Sequence, residues 1–95
     1  MSYEVLIAAE INEFLQNRSG KTRGIIKENL KKLEENPYPG GGPGDRERLP
    51  LKGEKRFRMH IGGTWTAFYS ILEDEREIRI SEILPIGEAH KKYGY

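Results

Sequence analysis

The sequence contains no cysteine and only two histidines, His60 and His90. Without cysteine the chain has no disulfide framework, no Cys-ligated zinc, no iron–sulfur cluster and no thiol nucleophile. Two histidines are too few for a His-rich metal site. We therefore expect no bound metal, and any chemistry has to come from other side chains.

Long apolar segments are also missing. No stretch approaches the roughly 20 apolar residues that span a bilayer. Residues 1–10 lack the basic start and the apolar run of a secretory signal. Because a small chain free of cysteine also suits a reducing cytosol, we expect a cytoplasmic protein that does not engage membranes.

The chain has 95 residues, of which 36% are hydrophobic. This length accommodates one domain, over residues 1–95. A domain this small has little interior volume. The sequence therefore predicts a functional site on the surface or in a shallow groove.

The formal net charge is only +1, but the charges are unevenly distributed. Residues 46–60 contain six basic and two acidic side chains, and residues 73–88 contain six acidic and two basic ones. A basic stretch of this density can attract phosphates. It is equally compatible with a solvated strand edge, so charge alone does not decide between the two interpretations.

The N-terminal half shows one strand pattern and two helix patterns. Alternating apolar residues predict a strand over residues 2–7. Apolar spacing predicts a helix over residues 8–17 and a second helix that starts at the N-cap Ser19 and extends to about residue 35. Two short helices with one apolar stripe each require a flat partner, which implies a sheet. The stripes consist of Ile11, Phe14, Leu15, Ile26, Leu30 and Leu33.

The C-terminal half predicts an antiparallel meander. Residues 36–45 are rich in glycine and proline and form a loop. The expected fold is α+β in the order β-α-α-β-β-β. Two N-terminal helices pack on a mainly antiparallel twisted sheet, and a short C-terminal tail or helix follows. The remaining strands are predicted over residues 56–61, 64–72 (apolar on both faces and therefore central) and 77–84, with a tight turn at Gly62-Gly63.

The strand over residues 56–61 has a distinct alternation. Arg56, Arg58 and His60 project from one side, and their apolar neighbours project from the other. Cationic groups two residues apart are about 6.6–7 Å from each other along a strand and can reach neighbouring phosphodiester oxygens. The alternative interpretation is an exposed sheet face kept soluble by charge.

Several short motifs occur in a familiar order. Together they resemble the RelE/ParE toxin superfamily, in particular its archaeal RelE-like branch, over almost the whole chain. The motifs are Asn36-Pro37 at the helix end, Leu51-Lys52-Gly53 before the strand of residues 57–61, the Gly62-Gly63 turn, the aromatic-x-x-x-Tyr pattern from Trp65 to Tyr69, and the ending Ile83-Leu84-Pro85 with Ala89-His90-Lys91.

The resemblance implies a toxin of a toxin–antitoxin system. Members of the family are endoribonucleases (mRNA interferases) that need no metal or cofactor and cut mRNA in the ribosomal decoding site, which inhibits translation. The adjacent RNA 2′-OH is their nucleophile, and basic side chains stabilise the phosphorane. The implied partners are therefore mRNA, the ribosome and a restraining antitoxin protein.

The resemblance also implies site residues. The two basic residues of the family's first catalytic strand fall on Arg58 and His60, and the tyrosine that ends the family motif falls on His90, with Tyr93 one helical turn further on. Both histidines titrate near neutrality and can act as base and acid. The candidate catalytic residues are thus Arg58, His60, His90 and Tyr93. The candidate RNA-binding residues are Arg46, Arg48, Lys52, Lys55, Arg56, Lys91 and Lys92.

Two positions depart from the family pattern. Arginines usual in the family fall on Thr66 and Ile86. Their loss removes positive charge that stabilises the phosphate. Removal of one such donor can lower the rate of an enzyme by a factor of ~10²–10³. A second hypothesis therefore stands beside the nuclease. It is a non-catalytic protein of the same fold, either a ParE-like topoisomerase inhibitor or a degenerate toxin that binds only antitoxin or RNA.

Overall fold

The computed structural model describes residues 2–38, 46–48 and 56–93. The predicted order of elements is confirmed, with one additional short strand. The elements are β1 (Glu4–Ile7), α1 (Ala9–Gln16), α2 (Gly20–Lys31) continued by a 3-10 turn (Lys32–Glu34), β2 (Arg46–Arg48), β3 (Arg56–Ile61), β4 (Trp65–Leu72), β5 (Glu77–Pro85) and α3 (Ile86–Tyr93).

The strands form one mixed sheet in the order β1-β5-β4-β3-β2. The pairing of β1 with β5 is parallel, and the other three pairings are antiparallel. β4 is the central strand, as its two apolar faces predict. A sheet that is apolar on both faces needs cover on both sides, and the helices provide it.

The two N-terminal helices cover one face. The Ser19 hydroxyl accepts a hydrogen bond from the backbone N–H of Thr22 at 3.2 Å, which confirms the predicted N-cap of α2. The apolar stripes of both helices pack on the inward residues of β3, β4 and β5. The core they form includes Ile11, Leu15, Ile26, Leu30, Met59, Ile61, Ala67, Tyr69, Ile78 and Ile80.

A shift in register near Ser81 changes which residues of β5 face this core. Phe68 pairs with Glu82 and Tyr69 pairs with Ile80, so Ser81 is the extra residue of a β-bulge. The Ser81 hydroxyl donates to the carbonyl of Phe68 at 3.1 Å. Inward-facing residues therefore change from even positions (Ile78, Ile80) to the odd position Ile83.

The segment after α2 is attached to the sheet through a buried hydroxyl. Tyr69 donates from its hydroxyl to the carbonyl of Pro37 at 2.6 Å, and its ring stacks on Phe57 at 5.6 Å. The rest of the predicted loop, residues 39–45, lies outside the described ranges. Tyr69 thus fixes the point where the chain leaves the helical layer.

The C-terminal segment is a helix rather than a tail. α3 packs against β4 and β5, and its first residue, Ile86, donates its backbone N–H to the carbonyl of Thr64 at 2.9 Å. Further along, Lys92 pairs with Glu82 of β5. None of the helices in the described ranges combines the length and the apolar character required to cross a bilayer.

Candidate nucleic-acid site beneath the C-terminal helix

The face of the sheet opposite α1 and α2 carries the cationic residues of β3. Arg58 and His60 alternate with buried Phe57, Met59 and Ile61, so the predicted separation of the two faces is confirmed. This face is not an open solvated surface, because only 9% of Arg58 is exposed. The interpretation as a charged solvent-exposed sheet face does not fit this burial.

A cavity of about 260 Å³ lies between this face and α3. Three of the four predicted catalytic residues and both positions that depart from the family pattern meet there. Its lining consists of Arg58, His60, Thr66, Ile86, Ala89 and His90. Residues far apart in sequence are therefore brought together by the return of α3 over β4.

Arg58 and His60 are in contact within the cavity. Nη1 of Arg58 lies against Nε2 of His60. A guanidinium can only donate hydrogen bonds, so Nε2 of His60 is the acceptor in this contact. A permanent positive charge largely shielded from water is a strong attractor for an anion.

Thr66 lies directly opposite His60 in the β3–β4 pairing. Its side chain is only 1% exposed, and among the described residues its Oγ1 is buried with no hydrogen-bond partner. The sequence indicated only that an arginine is missing here. The fold adds that this position lines the cavity and carries a buried hydroxyl.

The predicted site residues of α3 differ in their relation to the cavity. His90 lines the cavity and is exposed at its mouth, whereas Lys91 is exposed on the helix surface. Lys92 donates from Nζ to Oε2 of Glu82 at 2.5 Å. Tyr93 ends the helix, and its side chain lies outside the described part of the structure.

The predicted basic approach does not form one surface with the cavity. Arg46 pairs with Met59 and Arg48 pairs with Phe57, so both share the face of those core residues and not that of Arg58. Arg56 lies on the same face as Arg58, two residues earlier on β3. Lys52 and Lys55 fall outside the described ranges.

A larger cavity, of about 640 Å³, lies at the opposite end of β4 and β5. Glu73, Asp74 and Glu75 of the β4–β5 turn contribute to its lining together with Arg48. Glu73 is engaged by the hydroxyls of Tyr3 and Tyr38, and burial together with the bond to Glu73 raises the pKa of Tyr3. Three carboxylates make this end unsuitable for phosphates.

Metal-ligand clusters are not found in the part of the chain that the structure describes: no group of three or more His, Asp or Glu side chains there could hold an ion. The smaller cavity presents a guanidinium, two imidazoles and a hydroxyl. These groups can bind an anion and move a proton.

The fold is similar to solved structures of RelE proteins. The archaeal RelE–RelB complex from Pyrococcus horikoshii OT3 matches with a TM-score of 0.74 and 25% identity, over 92% of this chain and 98% of that one. The RelBE2 toxin–antitoxin complex from Mycobacterium tuberculosis matches with a TM-score of 0.72 and 15% identity, over 87% and 96%. A double mutant of the E. coli toxin RelE in the free state matches with a TM-score of 0.59 and 14% identity, over 99% and 93%.

No protein-family model and no curated protein matches the sequence. The likeness therefore lies in the arrangement of the whole domain, which is a RelE-type α+β fold with a cationic cavity under its last helix. This fold and the 25% identity to archaeal RelE support the RelE-like toxin superfamily. The resemblance stated from the sequence motifs is confirmed.

Proposed function

We propose that this RelE-like toxin is a ribosome-dependent endoribonuclease that cuts mRNA without a metal ion. The observation that carries the proposal is the convergence of Arg58, His60, Thr66 and His90 on one cavity. A phosphodiester needs charge stabilisation and two proton transfers for cleavage. The cavity offers both, from side chains on β3 and α3.

In the proposed reaction the RNA 2′-oxygen attacks the adjacent phosphorus while the bond from phosphorus to the 5′-oxygen breaks. The products are a 2′,3′-cyclic phosphate and a free 5′-hydroxyl, so no water or cofactor is consumed. Arg58 turns from His60 to the phosphate and neutralises the charge of the phosphorane. This movement frees the lone pair on Nε2 of His60.

His60 then takes the proton of the 2′-hydroxyl, and His90 donates a proton to the departing 5′-oxygen. His60 lies on a strand and His90 on a helix, and both line the cavity. An in-line displacement needs a base and an acid on opposite sides of phosphorus, and two different elements can supply them.

We further propose an antitoxin protein as the partner that restrains this activity. Two of the similar structures are complexes of RelE with RelB or of RelBE2. The proposed contacts to the RNA backbone remain Arg46, Arg48, Lys52, Lys55, Arg56, Lys91 and Lys92.

Primer extension on a translated mRNA tests the nuclease proposal. Wild-type protein should produce cuts within codons, and the double variant Arg58→Ala/His60→Ala should produce none. The matched control is Arg79→Ala, which removes an exposed arginine paired with Glu77 on β5, away from the cavity. Absence of cuts by folded wild-type protein would contradict the proposal.

The non-catalytic alternative is favoured by one feature, the apolar side chain of Ile86 where the family usually has arginine. Its prediction is inhibition of a topoisomerase, or binding of antitoxin or RNA without cleavage. Salt dependence separates RNA from protein partners, since several phosphate contacts make affinity for RNA fall steeply with salt.

A further inference from the structure

The Thr66 hydroxyl is an exception among the polar groups of this fold. The side chain is 1% exposed, and Oγ1 has no hydrogen-bond partner within the described ranges. Buried polar groups in native proteins nearly always have partners, because an unpaired one loses its hydration without compensation. A hydroxyl in this state has no hydrogen bond within the described ranges that a binding partner would first have to displace.

The position of Thr66 identifies where that partner binds. Thr66 is the direct cross-strand neighbour of His60, which places the two Cβ atoms about 4.5–5.5 Å apart. On its other side Thr66 pairs with Leu84 of β5. Thr66 thus lies between His60 and Leu84 in the sheet and contributes to the lining of the cavity.

The charge of the surroundings identifies the chemistry of the partner. Arg58 provides N–H donors and a permanent positive charge, and His90 adds a further ring at the mouth. A group that accepts hydrogen bonds both from a guanidinium and from a hydroxyl has several acceptor oxygens, and a negative charge strengthens its attraction to Arg58. A phosphodiester meets this description, whereas a neutral ligand does not.

We propose that Thr66 is a catalytic residue whose hydroxyl donates a hydrogen bond to a non-bridging oxygen of the RNA phosphate in this cavity. The inference rests on the proposed nuclease function and deepens it. Thr66 then acts in place of the absent family arginine, as a neutral donor that needs no counter-ion in the free protein. Its bond shortens as negative charge accumulates on the phosphorane.

The proposal predicts opposite effects on activity and on stability. Thr66→Val keeps the shape of the side chain and removes the hydroxyl. A hydrogen bond to a charged group is worth enough to lower single-turnover cleavage of ribosome-bound mRNA about 10- to 100-fold. Since the hydroxyl has no protein partner to lose among the described residues, the melting temperature should stay the same or rise.

The experiment compares wild-type protein with Thr66→Val, Thr66→Ser and the control Thr64→Val, which removes the exposed hydroxyl of the β3–β4 turn. Cleavage rate, melting temperature and affinity for a single-stranded RNA blocked by 2′-O-methyl groups are measured for each. We expect Thr66→Ser to retain cleavage within about threefold, because the donor is preserved. Thr64→Val should behave as wild type.

Two results would overturn the assignment of Thr66. One is a Thr66→Val variant that cleaves and binds RNA like wild type. The other is a fall in melting temperature that accompanies the loss of cleavage in both Thr66 variants, which is the signature of a structural role. Wild-type protein that neither cleaves mRNA nor binds the blocked RNA would instead overturn the nuclease function together with this inference.

Discussion

Lys92 on α3 donates from Nζ to Oε2 of Glu82 on β5 at 2.5 Å. This ion pair connects the helix that lines the cavity to the sheet. α3 brings Ala89 and His90 over the cationic face. The pair therefore lies between sheet and helix at the point where the site is assembled. Its partial exposure limits its contribution to overall stability.

We predict that Lys92→Met loosens α3 without unfolding the domain. An exposed ion pair is worth about 0.2–1 kcal/mol, so amide hydrogen exchange in α3 should accelerate by up to about fivefold while β4 is unaffected. Lys91→Met is the control, because Lys91 is exposed on the same helix. Equal acceleration in both variants would show that the pair does not hold the helix.

A second prediction concerns the buried hydroxyl of Tyr69. Tyr69→Phe leaves the carbonyl of buried Pro37 without its donor, and an unsatisfied buried acceptor costs about 1–3 kcal/mol. Thermal or urea denaturation should record this loss in the free energy of unfolding. Tyr38→Phe removes a hydroxyl that contacts Glu73 from an exposed ring, and because water can replace this partner, the free energy of unfolding should fall by less, about 0.5 kcal/mol.

Most of the fold follows from local patterns in the sequence. The apolar stripe that contains Ile26 and Leu30, the cap at Ser19 and the alternation around Arg58 each act over a few residues, and each is confirmed. By contrast, β2 is an Arg-Glu-Arg segment without alternation or β-branched residues. It forms a strand because the edge of β3 offers backbone partners, which no local pattern indicates.

The site is less accessible to sequence reasoning than the fold. The alternation on β3 identifies Arg58 and His60 as neighbours on one face, but nothing local relates them to His90, thirty residues later. Only the resemblance to the RelE/ParE toxin superfamily placed these three residues in one candidate site. Arg46 and Arg48 were grouped with Arg58 by charge, whereas the register of β2 places them on the other face. The register of the backbone pairing between β2 and β3 decides on which face each arginine lies, and the composition of the segment does not encode this register.

Substitution of two glycines by alanine tests the backbone conformation at their positions. Gly62 has φ +62°, in the left-handed region, and among the described residues a Cβ there would meet Ile25 alone, at 3.9 Å, so Gly62→Ala should cost about 1–2 kcal/mol through conformation alone. Gly24 lies inside α2 with no described atom within 4 Å of an added Cβ, and Gly24→Ala should stabilise the protein by about 0.5–1 kcal/mol. Opposite shifts in melting temperature are expected, and shifts of the same sign would contradict this account.

The last prediction restores a family arginine at the cavity. Ile86→Arg places a second guanidinium beside Arg58, on a side chain that already lines the cavity. One added phosphate contact should steepen the slope of log affinity for single-stranded RNA against log salt by about 0.7 and raise mRNA cleavage about tenfold or more. Ile25→Arg, on an exposed position of α2 that is 40% accessible, is the control for charge alone and should change neither quantity. If both variants steepen the slope equally, the gain comes from net charge, and the cavity is not where the phosphate binds.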